Sequence, residues 1–98
     1  MTATVVLAPV LDLRAAVPLK AELMAARGQA VTLDASAVER LGGQGLQVLL
    51  AAIRTWRADG CALTFLNVSE ALAVQWRQFG ASPADLSAHD LPALGEPA

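Results

Sequence analysis

The sequence predicts a small α/β domain, with a mostly parallel sheet of three or four strands and helices packed mainly on one side. Short β-branched or apolar segments alternate with longer stretches in which apolar residues recur every three or four positions. Glycines directly follow the three longest of these stretches, at Gly28, Gly60 and Gly80, where they favour a helix end. Strands that alternate with helices at this spacing are typically parallel and joined by right-handed crossovers.

Three strands are predicted, at residues 4–7, 31–34 and 62–66. The first is rich in β-branched residues and is stopped by Pro9, which cannot donate to a strand ladder. The other two are short and apolar, as is typical of buried parallel strands. The residues from 35 to 45, between the second strand and the next helix, are predicted to form a loop.

Three helices are predicted beside these strands. The first follows Asp12 with Pro18 in its first turn, the second runs over residues 46–59, and the third begins after Ser69, a favourable N-cap. A short helix is expected near residues 84–88. The predicted core faces share helical spacing and comprise Ala16, Leu19, Leu23 and Ala26, then Leu46, Leu49, Leu50, Ile53 and Trp56, then Leu72, Trp76 and Phe79.

The composition restricts the domain organisation and the kinds of partner. Ninety-eight residues hold one domain, which we expect over residues 1–94 with a disordered tail over residues 95–98. A hydrophobic share of 55% and a charged share of 16% predict a well-formed core. A net charge of −2 argues against a nucleic-acid surface, which would need clustered Lys and Arg.

The inventory of reactive side chains is poor. Cys61 is alone and lies among apolar neighbours, so we expect it to pack, and His89 lies in a polar tail where we expect it to be solvated. We therefore predict no enzyme activity, no metal and no cofactor. No apolar run reaches the about 18 residues of a membrane span. We expect a cytoplasmic protein that does not insert into a membrane.

One edge of the predicted sheet collects polar and small residues. Parallel sheets bind their ligands beyond the carboxyl ends of the strands. The residues that follow these ends here are Asp12, Asp34, Ser36, Gly42, Gly43, Gln44, Gly45, Asn67 and Ser69. The two acids either divide acid and base roles as a pair or, more simply, cap a helix and bind a loop. The glycines either hold an anion or allow close packing and partner contact. Neither of the phosphate-binding patterns G-x-x-x-x-G-K-[ST] and G-x-G-x-x-G is present, which favours the second interpretation.

Two segments carry a family resemblance. Asp34-Ala35-Ser36-Ala37-Val38, followed by Leu41-Gly42-Gly43-Gln44-Gly45-Leu46 at the start of an apolar helix, resembles the STAS domain. Bacterial anti-sigma factor antagonists and the cytoplasmic tails of sulfate transporters share this fold. The family pattern is Asp-x-Ser-x-Val at a strand end, then Asp-Ser-[Ser/Thr]-Gly-Leu opening a helix. The resemblance covers about residues 4 to 80 and implies a protein-interaction module.

The family's phosphorylation motif is degenerate in this chain. In phosphorylated members, the first Ser of the second motif accepts phosphate from a partner kinase that is also the anti-sigma factor. When the family motif is aligned with this sequence, Gly42 takes the place of the Asp, Gly43 that of the acceptor Ser, and Gln44 that of the next Ser or Thr. Only Gly45 agrees with the motif. Gly43 has no hydroxyl, so the resemblance implies a module without that switch. We expect Ser36 and Ser69 to be loop and cap residues rather than substitute acceptors.

The resemblance also implies a contact surface and a class of partner. The predicted partner-binding residues lie on the strand-end edge and the first turns of the second helix: Asp12, Asp34, Ser36, Gly42, Gly43, Gln44, Gly45 and Gln47. The implied partner is a histidine-kinase-like ATPase, an anti-sigma factor or another signalling protein. The alternatives are an accessory component of a bacterial chemotaxis system or of a lipid-transport ABC complex, with an enzyme or nucleotide binder ranked last.

The first strand differs from the usual family layout. Family members often begin with a strand hairpin, whereas residues 4–7 leave room for only one strand. The sheet should therefore be about one strand smaller and have an exposed edge. A partner or a second copy of the chain could cover that edge, so a homodimer is an open alternative.

Overall fold

Strands and helices alternate along residues 2–86, the part of the chain that the computed structural model describes. The strands are β1 (Thr2–Val6), β2 (Val10–Leu11), β3 (Ala30–Asp34), β4 (Arg40–Leu41) and β5 (Leu63–Leu66). The helices are α1 (Leu13–Ala25), α2 (Gly43–Asp59) and α3 (Glu70–Gln78), and a 3-10 turn spans Pro83–Leu86. The predicted tail and His89 lie outside the described residues, as does the end of the helix expected near residues 84–88.

A parallel three-stranded sheet in the order β1-β3-β5 forms the centre of the fold. Val5, Leu33 and Phe65 lie side by side across the three strands and are buried beneath the helices. The opposite face carries a row of threonines, and its residues are exposed or only partly buried. The prediction of a small, mostly parallel sheet with helices mainly on one side is confirmed.

A second, two-stranded parallel sheet was not predicted. It pairs β2 with β4, with Val10 opposite Arg40 and Leu11 opposite Leu41. The Pro9 carbonyl starts this pairing by accepting the N–H groups of Glu39, at 2.7 Å, and Arg40, at 3.0 Å. The prediction of a plain loop over residues 35–45 was therefore wrong at Arg40–Leu41. A strand of two residues is too short to show an alternating pattern in the sequence.

Both tryptophans belong to the core, as predicted. The Trp56 indole N–H donates to the Gln29 carbonyl at 2.8 Å, and that of Trp76 donates to the Ser82 carbonyl at 2.9 Å. Trp76 also meets the Phe65 ring edge-on, with centroids 6.2 Å apart and an interplanar angle of 67°. Each indole is buried with its one donor satisfied, which removes the usual cost of burying that group.

Two details of the helices correct the sequence prediction. Pro18 lies inside α1 rather than in its first turn, because the helix already begins at Leu13. The proline removes a helical bond to the Arg14 carbonyl, which water can replace because Arg14 is exposed. Phe79 is 48% exposed instead of buried, since α3 ends before it and it serves as the C-cap.

The second helix is longer than predicted and less deeply buried along one side. It begins at Gly43 rather than residue 46, so the glycine segment forms its first turn. Leu49 and Trp56 are buried, whereas Leu46, Leu50 and Ile53 are only partly buried against the core. The first turn of α2 therefore belongs to the surface on which the predicted contact residues lie.

Candidate functional site

The helices α1 and α2 begin side by side at the carboxyl ends of β2 and β4. The pairing of Leu11 with Leu41 places the residues after them, Asp12 and Gly42, next to each other. The Gly42 N–H donates to the Leu11 carbonyl at 2.9 Å. Asp12 and Gly42 are the N-caps of the two helices, so the structure brings these two predicted residues together.

The two caps differ in how they satisfy the helix ends. The exposed Asp12 side chain accepts the Ala15 N–H of α1 at 3.1 Å, which is a favourable arrangement for a carboxylate at a helix start. Gly42 has no side chain, and α2 has no side-chain cap hydrogen bond. The simpler of the two interpretations of Asp12, a helix cap, therefore matches its contacts.

The three glycines at this edge have different surroundings. A Cβ added at Gly45 would lie 2.8 Å from the Leu11 Cβ and closer still to the Leu11 carbonyl oxygen. At Gly42 it would meet the same oxygen at 3.2 Å, a tight contact. At Gly43 it would meet no atom within 4 Å. Gly45 thus allows helix and strand to touch, whereas Gly43 faces open space.

The burial of Gly45 corrects the predicted contact surface. Gly45 is buried against β2, so a partner cannot reach it, and its role is to let α2 approach that strand. Gly43, Gln44 and Gln47 are exposed. The sequence from Gly43 to Ile53 contains no charged residue. The exposed first turns of α2 are therefore polar and uncharged, with no side chain at Gly43.

Asp34 and Ser36 form a separate turn at the end of the central strand. The Asp34 carboxylate accepts the Ser36 N–H at 3.0 Å. This bond, with a second from the Ser36 hydroxyl, holds the pKa of Asp34 below its ordinary value of 3.8, while desolvation opposes the shift. Within residues 2–86, no hydrogen bond joins this turn to Asp12 or to Gly42. Each carboxylate serves its own local structure, which gives no support to an acid–base pair.

Ser69 connects the segment between β3 and β4 to the third helix. Its hydroxyl donates to the Val38 carbonyl at 2.6 Å and accepts the Leu72 N–H at 3.0 Å, so it caps α3 as predicted. The side chain is partly buried. Both hydrogen-bonding capacities of the hydroxyl are used, which favours the predicted cap role over that of a phosphate acceptor.

The Gln75 side chain hydrogen-bonds the backbone of β4 along the edge that does not face β2. The sequence did not predict this role. Its amide oxygen accepts the Leu41 N–H at 2.8 Å, and its amide nitrogen donates to the Glu39 carbonyl at 2.9 Å. The side chain thus takes the place of a neighbouring strand. A glutamine in an amphipathic helix has no sequence signal that distinguishes this role from ordinary exposure.

Cys61 lies at the opposite end of the sheet, before the start of β5. It is partly buried, with its Sγ 3.8 Å from the Asp59 carbonyl oxygen. Across the described range 2–86, no three His, Cys, Asp or Glu side chains are grouped to hold a metal ion. No helix in this range has both the length and the apolar character needed to cross a membrane.

The comparison with protein families agrees with the fold. The sequence model described as Mlab, STAS domain, matches residues 1–83, which is most of the chain. A search of the curated proteins gives no match. STAS domains act in general as regulatory and protein-interaction modules, usually without enzyme activity. On the extent of this match and the parallel α/β architecture, the chain belongs to the STAS domain family.

Proposed function

We propose that this chain is a bacterial, cytoplasmic, non-enzymatic docking module that binds a signalling protein without control by serine phosphorylation. The observation that carries this proposal is the open space at Gly43, the exposed first residue of α2. With no side chain there, the backbone of a partner can approach the start of the helix closely. Gln44 and Gln47 supply uncharged hydrogen-bonding groups beside it.

The absence of a hydroxyl at Gly43 supports the constitutive part of the proposal. In the family pattern, this position holds the serine that accepts phosphate. Phosphorylation adds a charge of about −2, which drives an apposed interface apart when no cation receives it. Gly43 cannot accept phosphate, so the bound state is not released by that route.

The partner class that we propose is a histidine-kinase-like ATPase or an anti-sigma factor. These are the proteins that bind the matching surface in phosphorylated family members. The contact surface comprises Asp12, Asp34, Ser36, Gly42, Gly43, Gln44 and Gln47, and Gly45 acts beneath it by positioning α2. The partner need not supply a cation for α2, because the exposed first turns of that helix carry no charge.

The test compares Gly43→Arg with Gly43→Ala and with Gln78→Arg. The open space at Gly43 should let both glycine variants fold. Gln78 is exposed at the end of α3 and is not one of the proposed contact residues, so its arginine variant adds the same charge at another exposed position. Proteins captured from a bacterial lysate are identified, and the captured protein is then purified and titrated against each variant. We expect Gly43→Arg to weaken binding at least about tenfold, as for a central interface position, and Gly43→Ala to weaken it less, because its single methyl group takes less of the space left for the partner. Gln78→Arg should bind like the parent.

Equal binding by all the variants would show that the partner does not contact the start of α2. The identity of the bound protein decides among the remaining assignments. Binding to the ATPase of a lipid-transport ABC complex would replace the signalling role with the accessory-subunit role. Binding to a receptor–kinase complex would place the chain in chemotaxis.

A further inference from the structure

The outer edge of β1 is a free backbone edge within residues 2–86. In the sheet order β1-β3-β5, β1 has a neighbour on one side only. The Leu7 N–H points toward β3, where it donates to the Asp34 carbonyl at 2.9 Å. Because successive residues of a strand point their N–H and C=O groups to opposite sides, those of Thr2, Thr4 and Val6 point away from β3.

This edge has none of the features that usually prevent a strand from pairing with another chain. The segment Thr2–Val6 contains no charged residue and no proline. It pairs with β3 residue by residue, without a bulge. Thr2 and Thr4 are exposed, and Val6 is 66% exposed on the open face of the sheet. An uncharged, β-branched edge without a bulge is a template for a further strand.

We propose that a second copy of this chain pairs with the edge, β1 against β1, in an antiparallel arrangement with a two-fold axis at Thr4. The two three-stranded sheets then form one continuous six-stranded sheet. Thr4 faces Thr4 of the second copy, and Thr2 faces its Val6. The three outward residues of each strand would exchange about six hydrogen bonds, two for each opposed pair.

A second copy fits this edge better than an unrelated strand because the pairing is self-complementary. A two-fold axis requires each residue to tolerate the residue opposite, and both kinds of pair here join β-branched, uncharged side chains. The pairing also covers part of Val6 and continues the threonine row Thr4, Thr32 and Thr64 into the second copy. No like charges oppose each other across the axis.

The first experiment measures the association state of the full chain by sedimentation equilibrium. We expect a reversible dimer, and a chain that remains monomeric at the highest concentrations would overturn the proposal. Thr4→Pro removes an outward N–H without removing a bond to β3, so circular dichroism should stay unchanged. It should raise the dissociation constant about a hundredfold, because two hydrogen bonds are lost and their acceptors are left unpaired.

A charged pair of variants separates edge pairing from stacking of the open faces. Thr4→Lys places two ammonium groups opposite each other, which should raise the dissociation constant about tenfold or more. This increase should be smaller at high salt, which screens the repulsion between the two charges. Thr64→Lys puts the same charge in the same row, two strands away from the edge. The dimer should tolerate it. If Thr64→Lys dissociates the dimer as strongly as Thr4→Lys does, the faces stack and the proposed edge pairing is wrong.

A cross-link tests the register directly. In a Cys61→Ser background, Thr4→Cys brings two thiols together at the axis, where opposed Cα atoms are about 5.5 Å apart and within reach of a disulfide. Mild oxidation should convert most of this variant into a covalent dimer. Thr64→Cys in the same background should stay largely uncrosslinked. The reverse pattern, or equal cross-linking of the two variants, would contradict pairing about Thr4.

Discussion

Gly45 of α2 lies directly against the backbone of Leu11 in β2. A Cβ at Gly45 would lie 2.8 Å from the Leu11 Cβ, a separation that real Cβ atoms essentially never show. This contact sets how closely α2 approaches β2, and so it holds Gly42 beside Asp12 at the start of both helices. The buried glycine therefore positions the exposed one at Gly43.

Gly45→Ala should destabilise the domain, whereas Gly43→Ala should stabilise it slightly. The added methyl group at Gly45 must displace the Leu11 backbone, which should lower the free energy of unfolding by about 1–3 kcal/mol. At Gly43 the methyl group enters open space and restricts the unfolded chain, which should raise that free energy by up to about 1 kcal/mol. Urea unfolding of the two variants and the parent measures both changes. Equal effects of the same methyl group at the two positions would contradict the packing role of Gly45.

The sequence predicted the parts of the fold that depend on periodicity. In the strand that buries Leu33, apolar residues alternate, and in the helix that buries Leu72 and Trp76 they recur once per turn. The predicted type and order of these elements were therefore correct. The pairing of β2 with β4 could not be predicted, since two residues carry no pattern and the pairing depends on the distant Pro9 carbonyl. Local signals specify an element only when it is long enough to repeat them.

The candidate site was predictable in its location but not in its detail. The rule that strand ends gather binding residues placed Asp12 and Gly42 at one edge, and the structure puts them side by side. No sequence rule separates Gly45 from Gly43, because the difference lies in what each Cα faces in three dimensions. The same limit explains why the contacts of Gln75 were not predicted.

Removal of the Gln75 side chain should destabilise the domain more than removal of an exposed side chain from the same helix. Gln75→Ala leaves the Leu41 N–H and the Glu39 carbonyl without their present partners at the edge of β4. Leu41 is buried, so the loss of its bond should lower the free energy of unfolding by about 1–3 kcal/mol. Thermal and urea unfolding measure this change.

Gln78→Ala is the matched control for that prediction. Gln78 lies on the same helix, is exposed, and should change the free energy of unfolding by less than about 0.5 kcal/mol. Gln75→Glu adds a further test, because a carboxylate can accept the Leu41 N–H but cannot donate to the Glu39 carbonyl. It should be less stable than the parent at neutral pH. If Gln75→Ala were as mild as Gln78→Ala, the two amide bonds would contribute nothing to the edge of β4.

Asp34→Asn should remove part of the acid sensitivity of the fold. The Ser36 N–H and hydroxyl stabilise the Asp34 carboxylate and hold its pKa below the ordinary value of 3.8. A carboxyl group whose pKa is lowered by folding stabilises the native state fully above the unfolded-state pKa, and this contribution disappears as the pH falls through the folded-state pKa. The asparagine variant keeps an oxygen acceptor for the Ser36 N–H but has no charge to titrate. The parent should therefore be the more stable of the two at neutral pH.

The melting temperatures of parent and Asp34→Asn, measured from pH 7 down to pH 2, test this linkage. The difference between them should be constant above about pH 5 and shrink progressively below pH 3.8, because the unfolded chain takes up the proton first and the native carboxylate only at a lower pH. Ser36→Ala keeps the backbone bond, the larger cause of the lowered pKa, and loses only the hydroxyl bond. Its curve should fall between the other two. Parallel curves over the whole range would mean that the Asp34 charge does not contribute to the stability of the turn.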